Sequence, residues 1–354
     1  MHLLIDGRNC SYRAAWAYLK GSREGHMKYH PFVYFMRQLG ETVSRFKPNE
    51  VTCVWDAPRE TVWRREIFPL YKQRDDDNKY VADLREPLKQ IETVARILLP
   101  EANVRDVSKA TQETDDLIYS LCRVIYPKEV IIVSSDRDFL QIPYRMPGVR
   151  QFEPQDKEFL LTPDLDPVVT KSLIGDPSDR IDGYHGIGKV KAGPLASCFI
   201  KRQAFLEANG PSLYYRNLVL IDLANNPDRL KNDMHVSAKL AEKPRFDAKK
   251  IDDLIVEHRI FGLKQDYDRA VRPFKTDIRP IEEETVEKKP KAKSGKTGKI
   301  QLVDAVNTDF QEEKTVAAVE APAEKVTTAT SGDVEALIKN LFKKFESVPE
   351  HHEP

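Results

Sequence analysis

Residues 130–138 read Val130-Ile131-Ile132-Val133-Ser134-Ser135-Asp136-Arg137-Asp138, an apolar run of β-branched residues closed by two serines and two acids. A short run of that kind is the pattern of a strand buried on both faces. The acids mark its carboxyl end, and a helical pattern follows near 136–142. The same punctuation recurs along the chain. Asp6 follows Leu3-Leu4-Ile5, and Asp56 follows Val51-Thr52-Cys53-Val54-Trp55. Glu113, Asp115 and Asp116 open a helical pattern, while Asp176 and Asp179 follow Leu173-Ile174-Gly175. Ligands of open α/β sheets bind at the carboxyl ends of the strands, so these acids are expected to converge on one cleft. So many anions repel unless cations sit among them, and all-oxygen donors suit magnesium or manganese. Two such ions about 4 Å apart can activate a water and stabilise a leaving oxygen, which points to phosphodiester hydrolysis. The plainer alternative is that each acid caps the helix after it. Capping explains any one position equally well, but it does not require doublets.

Strands are read near 2–6, 50–56, 102–106, 129–134 and 149–153, with helices near 9–20, 31–46, 79–99, 113–126 and 136–142. This alternation predicts an α/β domain over 1–160, a mostly parallel central sheet flanked by helices. Residues 161–281 read as a helical subdomain. From 282 to 332 the chain is charge-dense, then rich in Ala, Glu, Thr and Val, with few aromatics, and is expected to be a disordered linker. In 333–347, Val334, Leu337, Ile338, Leu341, Phe342 and Phe345 recur at helical spacing, an amphipathic tail helix for a replication partner, for a weak nucleic-acid contact, or for no partner at all.

The 354 residues carry 56 basic and 56 acidic side chains, a net charge of +0 that decides nothing about nucleic acid. The four cysteines, Cys10, Cys53, Cys122 and Cys198, are scattered in apolar stretches, which reads as buried thiols without a zinc site. An acid at position 6 comes too soon for a secretory signal. No apolar run approaches the roughly 20 residues of a membrane span. A cytoplasmic protein without a membrane partner is expected.

Two further stretches point to nucleic acid. Arg59, Arg64, Arg65, Lys72 and Arg74 interleave with Trp63, Phe68 and Tyr71. Cations for phosphates mixed with rings for bases suit a single-stranded or frayed end; a solvated basic face is the plain alternative. In Tyr184-His185-Gly186-Ile187-Gly188-Lys189-Val190-Lys191 the glycines let backbone approach a phosphate, and Lys189 and Lys191 open the next helix. Taken singly, Gly-x-Gly is more often an ordinary turn.

Taken in order, Leu4-Ile5-Asp6-Gly7, Val54-Trp55-Asp56, Tyr71-Lys72, Glu113-Thr114-Asp115-Asp116, Ser134-Ser135-Asp136-Arg137-Asp138, Gly175–Asp179 and Gly186–Lys189 resemble the 5′-nuclease family. That family comprises flap endonucleases, phage 5′–3′ exonucleases and the 5′-nuclease domain of bacterial DNA polymerase I. The resemblance covers roughly residues 2–200 and implies a PIN-like fold with a helical arch at about 72–100 and a three-turn helix-hairpin-helix element. It implies that Asp6, Asp56, Glu113 and Asp115 surround one metal, and Asp136, Asp138, Asp176 and Asp179 a second. Asp116 would be a bridging acid beside the first. Lys72 would reach the scissile phosphate with Arg74 near it, although Arg74 stands two residues after Lys72 where the family commonly has three. Tyr71 would stack on a terminal base and Arg64 would contact backbone. Gly186, Gly188, Lys189 and Lys191 would hold duplex DNA, with a potassium ion at the hairpin. Arg180 stands where the family often has Asn, and Pro194 falls early in the second hairpin helix, which is then expected to start late.

The function implied is a Mg2+-dependent (or Mn2+-dependent) structure-specific 5′-nuclease. It would act as a monomer on DNA with a 5′ flap, nick or free 5′ end, or on RNA primers, in the cytoplasm of a bacterial host if phage-encoded. Competing readings are a PIN-like ribonuclease, which lacks use for the hairpin, and a DNA-binding scaffold, which lacks use for the acids. A two-metal phosphatase for small molecules lacks use for the basic aromatic run.

Overall fold

Leu3, Ile5, Cys53, Trp55, Ile131 and Val133 point into one core, and Leu4, Val54 and Ile132 into another on the opposite side. Successive strand residues face opposite ways, so a sheet covered on both faces needs apolar residues at every position. That is why its strands read as unbroken apolar runs. In the computed structural model, which describes residues 1–23, 29–73 and 79–275, these runs form a six-stranded sheet of order β3-β2-β1-β4-β5-β6. The strands are β1 (His2–Asp6), β2 (Glu50–Trp55), β3 (Arg105–Ser108), β4 (Val130–Val133), β5 (Val149–Glu153) and β6 (Glu158–Phe159). All neighbours are parallel except β6, which runs back against β5. The third strand lies later than the expected 102–106, because the preceding helix continues to Glu101.

Helices α1 (Gly7–Arg23) and α2 (Pro31–Phe46) connect β1 to β2. The short α3 (Arg64–Ile67) and long α4 (Lys79–Glu101) connect β2 to β3, and α5 (Thr114–Ile125) connects β3 to β4. α6 (Gln141–Arg145) precedes β5. α2 and α4 cover one face of the sheet and α5 the other. From Leu84 onward α4 buries Leu84, Leu88, Ile91, Val94, Ala95, Leu98 and Leu99 in that core. Of the arch expected over 72–100, the stretch from Leu84 onward packs on the body of the domain, and residues 74–78 lie outside the described residues. Arg74, the linker and the tail helix lie outside the described residues.

The remaining elements are α7 (Pro167–Ile174), a ribbon of β7 (Gly175–Asp176) and β8 (Ile181–Asp182), α8 (Lys189–Ser197), α9 (Phe199–Asn209) and α10 (Ser212–Ile221). Then come α11 (Arg229–Ala241), α12 (Ala248–Glu257), α13 (Gly262–Gln265) and α14 (Tyr267–Ala270). The region after 160 is helical as expected but is not one subdomain. α7–α10 share a small core of Leu173, Tyr184, Ala192, Leu206 and Tyr214. α11 instead gives Val236 to the α5 side of the sheet, and α12 gives Ile251, Leu254 and Ile255 to the α4 side. α8 begins at Lys189 and runs through Pro194, so the expected late start is not seen; the ring removes a single backbone donor from a short helix. Among the described residues no helix is long and apolar enough to cross a membrane.

Candidate active site

The strand order reverses direction between β1 and β4, the switch point at which an open sheet leaves a crevice at its carboxyl edge. Register places Asp6 opposite Val54 and Ile5 opposite Val133. Asp6 thus ends β1, Asp56 follows β2, and Ser134–Asp136 follows β4, all at one edge. The start of α5 adds Glu113 and Asp115. These five acids and Lys72 line a cleft of about 540 Å³. Beside it, Asp138, Asp176 and Asp179 bring carboxylate oxygens within 4.8 Å of one another. Asp136, expected with that second group, lines the first cleft and stands between the two.

Capping and cleft geometry turn out to be one device. Asp136 accepts from the Asp138 N–H at 2.9 Å, Asp176 from the Ser178 N–H at 3.0 Å, and Asp56 from the Thr114 N–H at 2.7 Å. Asp6 accepts from the Asn9 N–H at 2.9 Å and the Ser134 hydroxyl at 2.7 Å. A short acid that caps the turn after its strand is held at the sheet edge by that bond. The turn carrying Asp176 and Asp179 depends on close backbone: Gly175 has φ +83, and a Cβ on Gly183 would lie 1.9 Å from the Ile174 carbonyl oxygen. Arg180 ends that turn with φ 59, a left-handed conformation that Asn adopts more readily than Arg.

The electrostatics divide the acids in two. Burial, with Asp56 and Asp136 nearby, pushes Asp6 up to about 7. Burial, with Asp136, Glu113 and Asp138 nearby, holds Asp115 well above the usual carboxylate range. Burial, with Asp176, Asp138 and Glu113 nearby, pushes Asp179 up to about 6 despite Lys72. Glu113 goes the other way: burial opposes its charge, but Lys72 and Arg64 hold it down to about 2. Asp176 is likewise lowered against burial by Lys171.

Two lysines stand among the carboxylates. Lys72, whose backbone is left-handed at φ 50, donates from Nζ to Glu113 at 2.8 Å and lies 3.8 Å from Asp179. Its N–H bonds the Asp179 carbonyl at 3.0 Å, tying the sheet edge to the helical side. Lys171 on α7 bonds Asp138 and lies 2.5 Å from Asp176. Sequence reasoning missed Lys171. Its one signal is that a helix ending at Ile174 sets a lysine near the following Gly175-Asp176 turn. Six carboxylates in the cleft, Glu92 among them, and three beside it face Lys72, Lys171, Arg8 and Arg59. An excess of oxygen donors, with Asp6, Asp115, Asp136 and Asp179 raised in proton affinity, fits a divalent cation.

Three expected roles are corrected. Arg64 is 2% exposed, donates to Glu113 at 2.6 Å, grips Asp116 at 2.8 and 2.9 Å, and reaches the Leu220 carbonyl at 2.8 Å. Every guanidinium nitrogen is engaged inside the protein, so Arg64 is a buried clamp and does not contact DNA backbone. Asp116 is spent on that clamp and on the Trp63 indole N–H at 3.0 Å; it supports Glu113 from behind and does not bridge metals. Tyr71 is 3% exposed with its hydroxyl donating to Glu113 at 3.1 Å, so no base can stack on it. The basic aromatic run folds Trp63, Arg64 and Tyr71 inward and leaves Arg59 and Lys72 on the cleft wall.

The hairpin is outward-facing. Gly186 has φ +71, Gly188 has open space around it, and Lys189 and Lys191 are exposed.

A parallel sheet with an acid cleft at its switch point, flanked by a helical layer carrying an exposed glycine hairpin, defines the class of acid-cleft α/β nucleases. Residues 1–164 match the family model of the 5′-3′ exonuclease N-terminal resolvase-like domain. A 5′-3′ exonuclease of Halalkalibacterium halodurans is 29% identical over 215 residues, covering 54% of this chain and 68% of that protein. The flap endonuclease Xni of Colwellia psychrerythraea is 26% identical over 223 residues, covering 58% and 73%. Among solved structures, a bacteriophage T5 protein co-crystallised with metal ions aligns with a TM-score of 0.53 at 18% identity, covering 73% of this chain and 98% of that one.

Proposed function

We propose that this chain is a metal-dependent, structure-specific 5′-nuclease that hydrolyses phosphodiester bonds near the 5′ ends of DNA, as a 5′-3′ exonuclease or flap endonuclease. The observation that carries this reading is the crowding of nine carboxylates around two fixed lysines at the switch point of the sheet. Relatives named 5′-3′ exonuclease and flap endonuclease support it. Magnesium is the proposed metal, held by Asp6, Asp56, Glu113, Asp115 and Asp136 in the cleft and by Asp138, Asp176 and Asp179 beside it. When bound, such ions supply Lewis acidity and a water that ionises near neutral pH.

The chain's own groups do the rest. Lys72, fixed by Glu113 and by its backbone bond to Asp179, sets a positive charge on the cleft wall where charge builds on the phosphate oxygens. Lys171 holds Asp138 and Asp176 together. Arg59 on the cleft wall is placed to meet the strand. Lys189, Lys191 and the amides at Gly186–Gly188 grip duplex backbone without regard to sequence, with a potassium ion at the hairpin as part of the same proposal.

The test is cleavage of a 5′-labelled flap duplex and a matched blunt duplex, with magnesium, with EDTA, and with Asp136→Ala. Magnesium-dependent release of the flap or terminal nucleotides is expected. Asp136→Ala should lower the rate at least about a thousandfold while leaving DNA affinity within a few-fold. Binding without cleavage under any divalent metal would sink the nuclease reading.

A further inference from the structure

Gln151 is a polar residue where the sheet calls for an apolar one, and none of the roles above uses it. It lies on β5 opposite Ile132 and two residues after Val149, both of which belong to the core on the α5 side. Side chains so placed share one face of the sheet, and Gln151 is 0% exposed. Burying an amide there is unfavourable unless its polar atoms are bonded. Among the described residues its Oε1 has no partner, so only the N–H groups offset that cost.

Both N–H groups go to one turn. Nε2 donates to the Ser134 carbonyl at 2.9 Å and to the Asp136 carbonyl at 2.6 Å. β4 ends at Val133, so these carbonyls lie past the strand, and buried carbonyls need donors from elsewhere. Gln151 supplies both from the neighbouring strand. On α6, Gln141 donates in turn to the Asp138 carbonyl at 3.0 Å.

This turn spans the two groups of acids. Asp136 lines the cleft, while Asp138 belongs with Asp176 and Asp179. Their spacing is set by two residues of backbone, and the Asp136 carbonyl lies within that stretch. The cleft side of the turn is fixed separately. The Ser134 hydroxyl donates to Asp6 at 2.7 Å and accepts from the Asp136 N–H at 3.1 Å, and the Ser135 hydroxyl donates to Asn9 at 2.9 Å.

An amide suits the underside because it is neutral. A lysine or arginine would supply the positive charge that the acids otherwise draw from a cation, and another acid would add to their repulsion. Two N–H donors on one planar group also fix the two carbonyls relative to each other. We propose that Gln151 is a positioning residue: by clamping the Ser134 and Asp136 carbonyls it sets the separation of Asp136 from Asp138, and so the affinity of the acids for their ions. This assignment rests on the nuclease reading and adds to it what spaces the acids.

The full-length protein is compared with Gln151→Met, which keeps the side chain's length and removes both donors. Val149→Ala, which removes packing from the same strand without touching the turn, is the control. Manganese binding is measured by titration calorimetry without DNA, melting temperature in EDTA, and kcat and KM on a 5′ flap across a range of magnesium. Gln151→Met should bind manganese about tenfold more weakly, as when a group that orients metal ligands is lost. At low magnesium its kcat should fall about tenfold and recover as magnesium is raised, with KM for DNA within about twofold of wild type. Val149→Ala should melt lower and bind manganese as the wild type does. Gln151→Asn keeps a neutral amide but is one methylene too short to meet both carbonyls, so it should weaken binding like Gln151→Met. It decides the matter if the Met variant does not fold. Wild-type manganese affinity in a folded Gln151 variant, or an equal loss in Val149→Ala, would overturn the assignment. A wild-type protein that bound manganese but cut neither flap nor blunt duplex would instead overturn the nuclease reading beneath it.

Discussion

Residue identity misled where burial decided the role. Arg64 has the chemistry of a phosphate contact, yet it lies beneath the cleft with Glu113 and Asp116 on its nitrogens. A buried cation is tolerated only when its charge is matched, and removing it strands two buried carboxylates. Arg64→Ala is therefore expected to destabilise the fold by about 3–5 kcal/mol, read as a large drop in melting temperature. The salt slope of DNA binding by the folded fraction should not change. A variant that melts normally but binds DNA with a shallower salt dependence would restore Arg64 to the surface role. The opposite case is Lys171, an ordinary helical lysine in the sequence that ends up bonded to Asp138 and Asp176. Contacts across 33 positions of chain leave no local trace.

Elements were more legible than single roles. β1, β2, β4 and β5 stood out because both faces are covered, which demands apolar residues throughout. The hairpin was visible because Gly186 needs a positive φ, a requirement that composition displays directly. α4 shows what reading by element leaves open: its length suited the arm of an arch, and the apolar stripe from Leu84 to Leu99 packs that stretch on the core. The hairpin's role is testable at this scale. Lys189→Ala combined with Lys191→Ala should weaken binding of blunt duplex and reduce the logarithmic salt slope by about 1.8, or about 0.9 for each phosphate contact. Cleavage at saturating DNA should persist. An unchanged slope would mean that the hairpin does not touch the backbone.

The whole molecule concentrates its electrostatic strain in one place. Asp6 and Asp179, raised to about 7 and about 6, bind protons more tightly folded than unfolded. Their contribution to stability is complete below the unfolded carboxyl range and is lost as pH rises through those folded values. Glu113, held near 2, and Asp176 act in the opposite sense: their contribution is present above the unfolded range and is lost only as pH falls below it. Below about pH 6.5 a histidine opposes this effect: burial and Arg105 push His2 down to about 3, so its contribution grows with pH up to the unfolded imidazole value. Above about pH 6.5 the raised carboxylates alone change, and the metal-stripped protein should melt at falling temperature from there to about pH 7.5. Magnesium added at the upper end should recover several degrees by binding the folded state, and should do little at the lower end, where protons compete. A melting temperature that climbed with pH above about pH 6.5 in EDTA would contradict the crowding of these acids.

By itself the sequence determined the alternation of strands and helices, the acids that end the strands and the glycines of the hairpin. Each of these follows from a local rule: burial on two faces, capping after a strand, or a backbone angle open to glycine. Only the tertiary structure decided which charges are spent. It turned Arg64, Asp116 and Tyr71 inward and set Lys72 and Lys171 among the carboxylates. The reason is physical: a side chain's charge is chemistry in search of a partner, and the partners here come from elements far apart in the chain.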